Sequence, residues 1–176
     1  VIDFLFCLFG LKISMFLYIA RHAWAGQRGD PRWADDSKRE LTPEGIERFS
    51  NMVKTLVGRG FRPERIATSP YTRCRQTADI IARHLDSKPK VEELAALEPG
   101  SQLQPLVEWT NNQGGRDVCW VGHSPDVEEL TAALIGDGQA CLRFAKGGMA
   151  AIRFDEQVVV GEGVLYWLAT AKLLGR

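Results

Sequence analysis

The sequence predicts an α/β fold: a three-layer α/β/α sandwich with helices on both faces of a central, mostly parallel sheet. Short runs apolar on both faces, at 16–20, 65–68 and 117–122, alternate with segments of amphipathic helical spacing. Strands buried on both faces and separated by helices belong to parallel sheets. The chain has 176 residues, 45% hydrophobic and 25% charged, with no repeat, low-complexity tract or linker. That suffices for one packed core and offers no boundary for a second.

The first stretch is greasy, but Asp3 and Lys12 interrupt it and no basic segment precedes it. Its uninterrupted part is shorter than the ~20 residues a membrane span needs. Met15 stands directly before the alternating FLYIA run. Residues 1–14 are therefore expected to be a non-native or flexible extension upstream of the true start. A weak membrane-binding or partner-binding tail is the alternative. Residues 15–176 are expected to form a single domain.

After the strand at 16–20, residues 23–41 turn polar, with Gly, Pro and charges. A connection this long is more often functional than ordinary. Trp24 and Trp33 within it either pack on the domain or line a pocket mouth. Thr42-Pro43 opens a helix, as N-cap and first helical residue, with Ile46, Phe49, Val53 and Leu56 as its buried stripe. Gly58 and Gly60 end it. A strand at 65–68 leads through Ser69-Pro70 into a second helix, with Cys74, Ala78, Ile81 and Leu85 on one face. A short strand around Val91 and a helix from about Ser101 to Trp109 follow. The strand at 117–122 leads through Ser124-Pro125 into a further helix with Val127, Leu130, Leu134 and Ile135 inward. AAIRF and VLYWLA close the chain as two strands joined by a turn around 155–163.

With 22 basic and 22 acidic side chains the formal charge is zero, so nothing draws the protein toward nucleic acid or an anionic membrane. The cysteines at 7, 74, 119 and 141 form no close pair. They read as reduced core thiols of a cytoplasmic protein, not as a disulfide framework or a zinc site. No cofactor and no metal site is expected.

Three segments share one design. ARH at 20–22, TSPYTR at 68–73 and GHS at 122–124 each follow a strand, and ligands of open α/β sheets gather at those C-terminal edges. Arg21 and Arg73 supply forked, permanently charged donors suited to phosphate oxygens. His22 and His123 stand beside them. Arginines nearby disfavour the imidazolium, and a neutral imidazole has a lone pair able to attack phosphorus. A second histidine across the same oxygens can donate hydrogen bonds to them. His84, near the end of the second helix, is expected at the surface, and Arg75, two positions from Arg73, to point away from it.

MFLYIARHA, SPYTRCRQTADI and VGHSPDVEEL, with ELTPEGIERF at 40–49, resemble in order the motifs of the histidine phosphatase superfamily. Within it the short chain is most similar to the SixA-type phosphohistidine phosphatases. The likeness runs from about Met15 to the last strand. It implies the phosphoglycerate mutase-like fold and metal-independent hydrolysis. It also implies a covalent phosphohistidine on His22, with phosphoryl oxygens held by Arg21, Arg73 and His123. Relatives acting on alkyl phosphates carry a glutamate as general acid; Glu98 is the nearest candidate here, with Glu92 and Glu93 behind it. Asp35 and Asp36 qualify only if their loop folds over the pocket. A phosphohistidine leaving group needs less proton donation, and the resemblance implies a phosphohistidine-bearing phosphotransfer protein as partner. The alternatives are a broad-specificity small-molecule phosphomonoesterase and a non-catalytic module that binds phosphorylated partners.

Overall fold

Residues 14–175 are described by a computed structural model. The expected extension at 1–14 lies outside the described residues apart from Ser14, which opens the first strand. Nine elements carry the core: β1 (Ser14–Arg21), α1 (Pro43–Val57), β2 (Arg65–Thr68), α2 (Thr72–Arg83), β3 (Lys90–Glu93), α3 (Leu103–Asn111), β4 (Val118–Gly122), α4 (Asp126–Leu134) and β5 (Met149–Asp155). A sixth strand, β6 (Val164–Ala169), completes the sheet in the order β3-β2-β4-β1-β5-β6.

β3, β2, β4 and β1 are parallel neighbours, while β5 runs antiparallel to both β1 and β6. The sheet is thus mostly parallel, with one reversed strand that the apolar pattern of AAIRF does not announce. Alternate side chains separate two cores. Tyr18, Ala20, Ile66, Cys119 and Val121 pack under α1 and α2. Leu17, Ile19, Ala67, Val118 and Trp120 pack under α3 and α4. This is the period-two division that puts helices on both faces.

Thr42 caps α1 by accepting the Gly45 N–H at 3.0 Å, with Pro43 at its start. Phe49, Val53 and Leu56 are buried as the stripe requires, and Met52 joins them. The helices after the two Ser-Pro pairs begin later than those pairs. Tyr71, in extended conformation, caps α2, and Pro125 itself precedes the first residue of α4. Each strand therefore ends in a short turn before its helix. Among the described residues, no helix is long and apolar enough to cross a membrane.

Candidate active site

Strand register brings the chemistry together. Arg21 of β1 pairs with Gly122 of β4, and Val121 pairs with Thr68 of β2. The residues that follow, His22, His123 and Ser69, consequently leave the sheet at one level. The two imidazoles stand with ring centroids 5.5 Å apart. Arg73, one residue into α2, reaches His123, its Nη2 lying 3.2 Å from Nδ1. Arg21, His22, Arg73 and His123 all line one hollow of about 720 Å³, within the usual size of a ligand pocket.

His22 is held firmly. Its N–H donates to Gly122 O at 3.0 Å, and its carbonyl accepts the Gly147 N–H at 3.0 Å. Gly147 has φ +69° and no room for a Cβ, which would stand 3.0 Å from Trp24 and Phe49; only glycine suits that clasp. His22 Nδ1 lies 2.8 Å from the carbonyl of Ala23. A carbonyl only accepts, so Nδ1 carries the proton and Nε2 keeps its lone pair. Burial pushes the His22 pKa down to about 3, with Arg73, His123 and Arg21 adding to the fall and the bond to Ala23 opposing it. The ring is neutral at physiological pH.

Each guanidinium is anchored through a terminal nitrogen. Arg21 Nη1 donates to Phe144 O at 2.7 Å, and Arg73 Nη1 to Asp36 O at 2.8 Å. The Nε of each is buried without a partner among the described residues. Buried donors without acceptors are costly, and a tetrahedral oxyanion supplies acceptors for both. Thr77 braces the arrangement from behind. Its hydroxyl donates to Arg73 O at 2.7 Å and accepts the Ala23 N–H at 3.1 Å, tying α2 to the loop after β1.

The long connection folds over the hollow. Asp36 pairs with Arg73 Nη1 at 3.1 Å and with Arg39 Nε at 2.9 Å. The hydrogen bond from Arg39, together with the charge of Arg73, holds this carboxyl below its ordinary range against partial burial. Arg28, Arg39 and Lys146 add cations to the wall. Asp35 instead accepts the Ser37 N–H at 2.9 Å, as the cap of a short helical turn. Trp24 packs with the α1 core, and neither it nor Trp33 lines the hollow.

The other candidate acids lie elsewhere. Glu98 closes a short helical turn and is half-buried, but Pro99 and Gly100 line the hollow in its place. Glu92 accepts from Trp109 Nε1 at 3.0 Å, and Glu93 from Arg75 at 3.0 Å, both on edge strand β3. Asp126 does line the hollow, with Oδ2 accepting the Gly100 N–H at 3.0 Å. Arg75 is exposed as expected, and His84 caps the end of α2 half-buried. Arg39, Ser69 and Thr77 were not singled out by sequence reasoning. Thr77 had a signal, since it stands four residues after Arg73 on the same helical face.

A parallel-sheet α/β protein with paired imidazoles and guanidiniums around an oxyanion-sized site falls in the class of phosphoryl-handling enzymes. The model of the histidine phosphatase superfamily (branch 1) matches residues 17–98. An uncharacterized protein of Picosynechococcus sp. is 33% identical over 143 residues, covering 79% of this chain and 85% of its own. The phosphohistidine phosphatase SixA of Escherichia coli is 28% identical, with 87% of this chain and 92% of that one covered. The solved structure of the protein histidine phosphatase SixA complexed with tungstate superposes with a TM-score of 0.79 at 28% identity, covering 91% and 99% of the two chains. This chain belongs to the histidine phosphatase superfamily, and its fold is the phosphoglycerate mutase-like fold of SixA.

Proposed function

We propose that the protein, through a single domain at 15–176, hydrolyses phosphohistidine on a partner protein by way of a phosphorylated His22. One observation carries the reading: the Nδ1–Ala23 bond leaves the Nε2 lone pair of a buried, neutral His22 beside two guanidiniums with unpartnered donors. Nε2 attacks phosphorus, the new N–P bond forms, and the bond from phosphorus to the substrate's imidazole breaks. Water then attacks the phosphorylated His22, releasing inorganic phosphate and restoring the ring. Arg21, Arg73 and His123 hold the phosphoryl oxygens and offset the charge that builds on them. No step uses a metal, so a chelator is expected to leave the rate unchanged.

The carboxyls around the hollow favour a substrate with an easy leaving group. Asp36 is ion-paired to Arg39 and Arg73, Asp126 accepts a backbone N–H, and Glu98 does not line the wall. None is a ready proton donor to an alkoxide, whereas an imidazole already protonated on its other ring nitrogen takes the electron pair of the broken N–P bond and departs as a neutral ring. We place the activity in a reducing cytoplasm, consistent with Cys74, Cys119 and Cys141 being free thiols.

The test compares turnover of a phosphohistidine-bearing phosphotransfer protein with that of a panel of small phosphomonoesters, with an alkaline quench to preserve phosphate on His22. Faster turnover of the protein and a label lost in His22→Ala support the proposal. Preference for the phosphomonoesters, with a large loss in Glu98→Gln on those substrates alone, favours the broad-specificity phosphomonoesterase. Tight binding without turnover of either identifies a non-catalytic phospho-partner module.

A further inference from the structure

Two neighbours decide where His123 keeps its proton. Arg73 Nη2 lies 3.2 Å from Nδ1, and a guanidinium has donors but no acceptor. Nδ1 therefore presents a lone pair. In a neutral ring the proton then sits on Nε2, 2.9 Å from Ser69 Oγ. Ser69 is fully buried and its oxygen also accepts the Tyr71 N–H at 3.3 Å. Cys74 Sγ stands against the same edge of the ring, 3.5 Å from Nε2. The Cys74 thiol, pushed up to about 12 by burial, stays protonated and donates to Gly122 O at 3.6 Å. That carbonyl is the one that accepts the His22 N–H. Arg73 thus stands at Nδ1, Ser69 and Cys74 stand at Nε2, and Cys74 ties that edge of the ring to the end of β4.

We infer that Ser69 is a positioning residue that fixes His123 in its Nε2–H tautomer, so that Nδ1 meets a bound oxyanion and binding takes up one proton there. The inference rests on the reading of this hollow as the phosphoryl site. An oxyanion next to a Nδ1 lone pair is repelled. With Nε2 committed to Ser69, the ring can offer a donor at Nδ1 only as the imidazolium, and Arg73 Nη2 then turns its N–H from Nδ1 to the same oxyanion. In the empty site, burial first and then Arg73, with Arg39 and Arg21, hold the ring neutral with a pKa of about 3, against the charge of Asp36. Neutral His22 faces it from β1, and the Tyr71 ring from the turn before α2. A dianion arriving against Nδ1 outweighs these cations at close range and draws the proton in.

Tungstate is the probe, a tetrahedral oxyanion that carries no proton of its own at neutral pH. Histidine 15N spectra of the wild-type protein are expected to report Nε2–H at His123 when free and the doubly protonated ring when tungstate is bound. Uptake of one proton makes tungstate affinity fall about tenfold for each unit of rising pH near neutrality. Ser69→Ala is expected to release the tautomer, flatten that dependence and lower turnover about tenfold, the scale of losing a supporting hydrogen bond. Ser69→Thr restores the hydroxyl and the tautomer. A free wild-type ring protonated at Nδ1, or affinity independent of pH, overturns the inference without recourse to any variant. Absence of phosphate on His22 sinks the hydrolytic mechanism alone, because neither the spectra nor the titration requires turnover.

Discussion

Arg73 and Arg75 stand two residues apart on α2, and both pair with carboxylates at almost the same distance. Arg73 meets Asp36 at 3.1 Å; Arg75 meets Glu93 at 3.0 Å and Asp79 at 3.2 Å. Bond length does not tell them apart. Exposure does: the Arg73 side chain is 5% exposed and that of Arg75 is 41%. Two residues turn a helix by roughly 200°, so one guanidinium enters the hollow and the other faces water. A buried charge with an unpartnered Nε is poised to bind an anion, whereas an exposed pair is screened and contributes little. The inner face of α2 lines the hollow and the outer face is solvated.

The contrast is sharpest at His22, the proposed nucleophile beside that inner face. His22→Ala is expected to abolish the acid-labile phosphate on the protein and reduce turnover by about 10⁴-fold or more, as loss of a covalent nucleophile does. Turnover that survives this change would remove His22 from the chemistry. Arg73→Ala comes next, with a loss of roughly 10²–10³-fold for one missing donor to a developing charge. Arg73→Lys should recover little of it, since an ammonium cannot reproduce the fork. Steady-state rates on a phosphohistidine protein decide both.

How much of this was legible depends on where each residue's partners lie. Strands buried on both faces leave apolar runs, so β1, β2 and β4 are legible, and Arg21, His22 and His123 lie at or directly after strand ends. Arg73 followed from its place in the second motif. The role of Asp36 was not readable, because its partner is 37 residues away and only the fold of the 23–41 connection brings the two together. Ser69 and Thr77 lay within quoted motifs, yet their hydroxyls bond across elements, to His123 and to Ala23. Sequence spacing does not encode such cross-element pairs. Glu98 shows the converse: the resemblance made it the candidate acid, but Pro99 and Gly100 line the hollow in its place.

The two buried imidazoles beside Arg73 also carry a pH signature. His22 and His123 both drop from an ordinary 6.5 to about 3, chiefly by burial. Between those values the unfolded chain binds more protons than the folded one, so stability rises with pH across that window. As pH falls from about 6.5 toward 3, folding is expected to weaken progressively. Below about 3 both states are protonated and this contribution levels off. Denaturant titrations across that range check it, with His22→Ala flattening the slope by its own share; an unchanged slope would mean the ring is not held neutral.

The smallest expected effect tests the other side of the helix. Arg75→Ala removes both exposed ion pairs, with Asp79 and with Glu93. Exposed pairs contribute about 0–1 kcal/mol each, because water screens them and two long side chains lose freedom to meet. Melting and denaturant midpoints should therefore move little, and turnover should stay within about twofold of wild type on this reasoning. A protein substrate could still lean on the outer face of α2. In that case Arg75→Ala would raise KM for the phosphohistidine protein while leaving small phosphomonoesters untouched. That outcome would make the outer face a docking surface and break the division drawn between the two arginines.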